Sequence, residues 1–167
     1  DPPGGNSLYS IAAFDLTREN YTENVSGFSR QEGEVRSRGV ELEARTEPLP
    51  GLNLIGSYTW NDVEVTRSEA GNKGNTPFRV PEHMASAWGI YSFQSSPLNG
   101  LSIGAGARYV GSTWGDTANT FKVGSFTVVD ALLSYKLGKL DARLDGAELS
   151  LNASNLFDKR YVTGCFN

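Results

Sequence analysis

The sequence predicts an all-β fold: an antiparallel transmembrane β-barrel, of which these residues make an open part of about seven strands. Three observations carry that prediction. Period-2 alternation of apolar and polar residues recurs along the chain, while helical periodicity is nearly absent. The alternating runs are about 10–15 residues long, where strands of a soluble sandwich run nearer 5–6. Short and long connections alternate, the asymmetry of an outer-membrane barrel with tight turns at one end and long loops at the other.

The 167 residues carry a formal charge of −4, with 38% hydrophobic and 20% charged residues. Mild acidity without basic clusters argues against nucleic acid as a partner. No apolar run approaches the length of a membrane helix, but a membrane-spanning strand needs only about 9–11 alternating residues. The chain opens on Asp1 and its only methionine is Met84, so it is expected to be a piece of a longer protein.

Seven segments read as strands. In Leu8–Asn20, Leu8, Ala12, Phe14 and Leu16 oppose Asp15 and Thr17. In Ser37–Glu47, Val40, Leu42 and Ala44 alternate with Glu41, Glu43 and Arg45. Leu52–Thr66 sets Leu52, Leu54, Tyr58 and Trp60 against Asn53, Ser57 and Thr59. Met84–Phe93 is apolar on both faces, so its inward side is not assigned. Leu101–Thr113 alternates cleanly, Ile103, Ala105, Ala107 and Tyr109 against Ser102, Gly104, Gly106 and Arg108. Phe126–Leu137 places Val129, Ala131, Leu133 and Tyr135 opposite Asp130, Ser134 and Lys136. Glu148–Val162 begins with Leu149, Leu151 and Ala153 against Ser150 and Asn152.

Pro48-Leu49-Pro50-Gly51, the stretch 95–100 with Asn99-Gly100, and the link 138–147 are the short connections. The stretches 21–36, 67–83 and 114–125 read as longer polar loops. Tyr58, Trp60, Tyr109, Trp114, Phe157 and Tyr161 then collect near the loop end, and Tyr9, Tyr91, Phe93 and Tyr135 near the turn end. Two aromatic girdles are expected of a membrane barrel, since these rings bury a face while their polar edges stay wet. A soluble all-β ligand- or carbohydrate-binding module, with its apolar faces packed inward, is the alternative reading.

No catalytic set emerges, and the reading is of a protein that is not an enzyme. His83 is the only histidine and stands at the foot of a loop, without a second histidine or a nucleophile. Glu41 and Glu43, with Arg36, Arg38 and Arg45, read as a charge ladder on a wet wall rather than as paired acids. Gly104-Ala105-Gly106 has no following helix and so makes no phosphate loop; its small residues suit close approach of something bulky. Cys165 is the single cysteine, either a free thiol or half of a disulfide, and no metal-ligand cluster accompanies it.

Three stretches, in order along the chain, resemble TonB-dependent outer-membrane receptors. Gly33-Glu34-Val35-Arg36-Ser37-Arg38-Gly39-Val40-Glu41 is similar to a G-x-x-x-S-x-G-x-E strand of that family. Pro77-Phe78-Arg79-Val80-Pro81-Glu82-His83 resembles its P-x-x-x-P-x-H approach to the next strand. Asn155-Leu156-Phe157-Asp158-Lys159-Arg160-Tyr161 is similar to its C-terminal N-L-F-D-K-x-Y signature, and Cys165-Phe166-Asn167 narrows the likeness to ferrichrome-type siderophore receptors.

The resemblance implies that residues 1–167 are the C-terminal portion of a barrel of about 22 strands. Signal peptide, TonB box, plug domain, the first strands and the last strand would lie outside them. It implies uptake of a hydroxamate-type ferric siderophore across the Gram-negative outer membrane. The partners would be that ligand, membrane lipid and lipopolysaccharide, and TonB-ExbB-ExbD acting through the N-terminal region. No cofactor or directly bound metal is expected, since the iron arrives already chelated. The loop aromatics Tyr21, Phe28, Trp114, Phe121 and Phe166 are the candidate ligand-binding residues, Phe166 foremost because the resembling loop overlies the ligand. Cys165 would pair with a cysteine shortly beyond Asn167.

Overall fold

The computed structural model describes residues 7–25, 27–95 and 97–164, and only the backbone of Glu23, Val25, Arg30 and Glu32. Seven strands form one antiparallel sheet. They are β1 (Ser7–Val25), β2 (Phe28–Leu49), β3 (Leu52–Arg67), β4 (His83–Ser92), β5 (Leu101–Val110), β8 (Phe126–Lys136) and β9 (Glu148–Ala153), hydrogen-bonded in that order. Between β5 and β8, β6 (Thr113–Trp114) and β7 (Lys122–Val123) pair as a separate ribbon. The link between β8 and β9 holds two short 3₁₀ turns, Leu137–Lys139 and Ala142–Leu144. Among the described residues there is no α-helix and no second large sheet, so the sandwich has no second layer to pack on.

Register divides the sheet into two chemically different sides. One row joins Leu54, Gly89, Ala105, Ala131 and Ala153, and another joins Leu42, Tyr58, Ala85, Tyr109 and Thr127. The opposite side carries Glu43, Ser57, Ser86 and Arg108 in one row, with Asp130 beside Gly106 in the next. An apolar band and a polar wall back to back are the lipid side and the lumen side of a membrane barrel. Leu149 and Leu151, on the lipid side of the edge strand β9, are each 67% exposed, as suits a lipid solvent. Leu8 and Leu16 are similarly exposed on the lumen side of the other edge strand, β1.

Partnering also settles what alternation left open. Met84, Ser86, Trp88 and Ile90 of β4 face the lumen, and Ala85, Ala87, Gly89 and Tyr91 face lipid. In β1, Tyr9, Ile11 and Ala13 stand opposite Ala44, Leu42 and Val40 and so face lipid. Leu8, Ala12, Phe14 and Leu16, the side expected to be apolar, share the lumen face with Glu41 and Glu43. The charge ladder divides in the same way. Arg36 and Arg38 are even-numbered and point to the lipid-facing side above the apolar band, where they pair with Asp15 and Asp62.

Three expected boundaries move. The polar loop 21–36 is a continuation of the β1–β2 hairpin, paired out to Val25 and Phe28, because cross-strand pairs such as Asp15 with Arg36 stabilise strands that have left the membrane. Strand β5 stops at Val110, where Gly111 donates its N–H to the carbonyl of His83. Strand β9 stops at Ala153, not Val162, because Asn155 and Asp158 take left-handed conformations (φ 53 and 48) incompatible with a ladder. The tight turn holds: Leu49 pairs with Leu52 around Pro50-Gly51, and Gly51 supplies φ 84.

Of the girdle aromatics, Tyr58, Trp60 and Tyr109 line the lipid side at the loop end, and Tyr9, Tyr91 and Tyr135 at the turn end. Phe93 packs edge-on against Tyr91 at 4.8 Å between ring centres. Tyr161 leaves the belt and stacks on Phe126, a lumen-side residue opposite Val110. Trp114 belongs to the loop ribbon and Phe157 to an exposed turn.

Candidate functional site

The loop end of the lumen side is where the chain builds enclosed space. A bulge at Asn20 (φ 58) makes Tyr21 pair with Gly33, reversing the alternation of β1 and turning Tyr21 to the lumen side. There it packs on the small core of Val35, Val63 and Val65, with Val80 of the β3–β4 loop. Beside this cluster lies a cavity of about 290 Å³ lined by Tyr21, Asn72, Thr76, Phe78 and Thr117, contributed by three separate connections. Its volume approaches the lower end for a small-molecule site.

Two long loops are locked to each other over this space. The side chain of Asn119 accepts from the Thr76 N–H at 2.9 Å and donates to the Thr76 carbonyl at 2.8 Å, so it imitates a strand neighbour. Asn75 Nδ2 donates to the Thr117 carbonyl, and the Arg79 N–H to the Trp114 carbonyl, both at 2.9 Å. Asn119 sits at φ 56, a conformation Asn tolerates better than most residues. Asp116 accepts from the Thr120 hydroxyl and backbone N–H, and the hydroxyl bond above all holds its carboxyl below the usual carboxylate range.

The expected ligand residues scatter across this region. Tyr21 lines the main cavity; Trp114 lines a smaller one of about 140 Å³, with the Lys122 ammonium 4.7 Å from its ring centre. Phe121 covers Gly115 and is 44% exposed. Phe28 stands at the hairpin tip, 71% exposed, and lines none of these cavities. Phe166 and Cys165 lie outside the described residues. His83 opens β4 on the lipid-facing side, its Nδ1 2.9 Å from the Tyr58 hydroxyl, in the girdle rather than near the cavities.

The C-terminal signature is a closed turn. Asn155 Oδ1 accepts the Lys159 N–H at 2.9 Å and Asn155 Nδ2 donates to the Lys159 carbonyl at 3.1 Å. The Asn155 N–H in turn donates to Asp130 Oδ1, and that of Leu156 to the Val129 carbonyl, which dock the turn on β8. Leu156 and Phe157 are 52% and 75% exposed, so the signature reflects backbone geometry and membrane-end contacts more than a buried core. Asn119, Val80 and the Asn20 bulge escaped the sequence reading. The clustering of Asp116, Thr117, Asn119 and Thr120 was the available signal, since Asn and Asp close loops on themselves.

A sheet with a lipid side, a wet side, aromatic bands at both ends and cavities beneath interlocked loops is the wall of a membrane β-barrel. The chain belongs to the TonB-dependent receptor family: residues 2–156 match the family model described as TonB dependent receptor-like, beta-barrel. It is 48% identical over 159 residues to the ferrichrome outer membrane transporter/phage receptor of Escherichia coli (strain K12), covering 93% of this chain and 21% of that protein. It is 41% identical over 168 residues to the ferrioxamine receptor of Yersinia enterocolitica, covering 99% and 23%. The solved siderophore receptor PiuA from Acinetobacter baumannii superposes with a TM-score of 0.75 at 30% identity, over 96% of this chain and 23% of that one. The chain thus spans between a fifth and a quarter of the length of these proteins, and its sheet is a piece of an outer-membrane barrel wall.

Proposed function

We propose that these residues form part of the wall and outer loops of a receptor that binds a hydroxamate-type ferric siderophore and imports it by TonB-driven transport. The observation that carries the reading is the cavity at Tyr21, which opens on the lumen side under loops pinned by Asn119. Its aromatic and amide lining suits a compact, pre-chelated complex gripped by its outer surface. The relatives named for ferrichrome and ferrioxamine support the hydroxamate class. No covalent change is needed, so the protein acts as a transporter and not as an enzyme.

In this reading residues 1–167 are the C-terminal portion of the barrel, and the plug domain and TonB box belong to the rest of the receptor. Energy comes from TonB-ExbB-ExbD, and lipopolysaccharide surrounds the lipid side. Tyr21, Trp114, Phe121 and Phe166 contact the ligand, Phe28 meets it only on approach, and Cys165 closes the last loop by a disulfide. The test is growth of an iron-starved, receptor-deficient strain carrying the full-length gene and fed defined siderophores. Rescue by hydroxamates that disappears without TonB is expected. No rescue by any hydroxamate, or rescue independent of TonB, overturns the reading.

A further inference from the structure

A third opening lies at the loop end; it shares no residue with the Tyr21 cavity and one, Lys122, with the Trp114 cavity. It is a groove of about 440 Å³ between the end of the β5–β8 connection and the segment that follows β9. Phe121, Phe126 and Tyr161 supply its aromatic walls, and Lys122, Lys159 and Arg160 supply three cations. Among the described residues no carboxylate lines it, and none forms an ion pair with those cations, in a chain whose net charge is −4. Lys122 also borders the Trp114 cavity, where Asp62 and Glu82 lie, whereas Lys159 and Arg160 line this groove and not that cavity. With acids outnumbering bases overall, three cations gathered here are a local reversal of the chain's charge.

The groove is held from both sides. The Asn155 clasp fixes the backbone of Lys159, from which Lys159 and Arg160 project. Lys122 is seated over the Trp114 ring. The rings of Phe126 and Tyr161 stack with centres 4.1 Å apart and planes 17° from parallel, which joins the two segments. Phe126 stands in the lumen-side row with Val110 and Met84, so this wall belongs to the wet side of the barrel and not to lipid.

Cations next to aromatic faces, with no described carboxylate in the groove itself, recognise an oxyanion attached to a partly apolar body. We propose that the groove is an anion subsite for the transported ligand, and that it takes a carboxylate carried by the ferric complex. The inference rests on the siderophore reading for the identity of that ligand; the subsite itself stands on the groove. Ferric complexes with a free acid would gain from it, and neutral ones would pass it unheld.

The experiment uses the purified full-length receptor and a linear ferric trihydroxamate, as its free terminal carboxylate and as the methyl ester. Affinities come from quenching of protein fluorescence, in the native receptor and in a Lys122→Gln/Lys159→Gln/Arg160→Gln variant. All three side chains are exposed, so the variant keeps its fold. The native receptor should bind the acid about fivefold more tightly than the ester at low ionic strength, a preference that salt and the variant both abolish. Ester affinity should not change. Equal binding of acid and ester by the native receptor, or equal weakening of both in the variant, overturns the subsite while leaving the siderophore reading intact. If neither form binds, the siderophore reading fails, and inorganic pyrophosphate becomes the deciding probe. Salt-sensitive pyrophosphate binding lost in the variant then supports the subsite, and no binding overturns it.

Discussion

The indole of Trp88 covers Gly106, the residue directly opposite it on β5, so closely that a Cβ on Gly106 would fall inside contact distance of three ring atoms. On β1 and β2, Phe14 likewise covers Gly39, where the Trp60 carbonyl oxygen also crowds the space a Cβ would take. Both aromatics lie mid-strand on the lumen side, away from the girdles. Each fills the gap that a glycine leaves in the wall, the pairing known as aromatic rescue. The small residues at 104–106 are thus occupied by the protein's own side chains rather than kept clear for a ligand; Ile90 and Leu132 approach Gly104 similarly.

Gly106→Ala should therefore destabilise the full-length barrel by about 1–3 kcal/mol, the cost of forcing an aromatic off its site. The temperature at which the folded gel band converts to the unfolded one measures it. Trp88→Ala with Gly106→Ala should cost less than the sum of the singles, since the clash has gone. Strict additivity would show that the two side chains do not meet.

The face assignment of β4 gives a second contrast. Ala87→Arg places a cation near the middle of the lipid band and should cost about 2–4 kcal/mol. Ser86→Gln, one residue earlier on the wet side and opposite Arg108, loses at most the 2.8 Å hydroxyl contact with Ser57 and should cost about 1 kcal/mol or less. Ser86→Lys should do the same once salt screens it from Arg108. Equal losses in chemical denaturation from bilayers would reverse the two faces.

Asn155 combines a left-handed backbone with two bonds to Lys159. Asn155→Gly keeps the backbone and loses both bonds, a loss of about 1–3 kcal/mol. Asn155→Ala should add about 1–2 kcal/mol of backbone strain. Amide exchange at Lys159 should quicken in both, and unchanged exchange would remove the clasp from the account.

Asp116 makes the β5–β8 loop sensitive to acid. Its folded pKa lies below the ordinary 3.8, chiefly through the Thr120 hydroxyl bond. A carboxyl that binds protons less readily when folded contributes fully above the ordinary value and loses that contribution as pH falls through the lowered one. A nitroxide at the exposed Ala118 should stay ordered at pH 4 and loosen only in stronger acid. Thr120→Val should move that loosening to higher pH. A transition at the same pH in both proteins counts against the Thr120 bond.

Much of this architecture was legible because it is local. Leu101–Val110 declares two faces by simple alternation, and Pro50-Gly51 declares its turn by the one residue that accepts φ 84. The division of Arg36 and Arg38 from Glu41 and Glu43 was also available, since even and odd positions cannot share a strand face. The C-terminal signature marks the family, but it reads as part of a strand running to Val162, and neither its turn nor the Asn155 clasp is visible in it.

The sequence by itself determined the seven strands of the main sheet though not all their ends, their antiparallel order, the girdle tyrosines of β3, β5 and β8, and the family. Each follows from periodicity or a contiguous motif. Only the tertiary structure decided which face of β4 meets lipid, because both its faces are apolar and the neighbours β3 and β5 break the tie. It alone turned Tyr21 to the lumen side, through one bulged residue. It alone joined Asn119 to Thr76, 43 residues away, and Lys122 to Lys159 and Arg160 in one groove. Such contacts depend on sheet register and on where loops land, and those are set by partners distant along the chain, which no local pattern encodes.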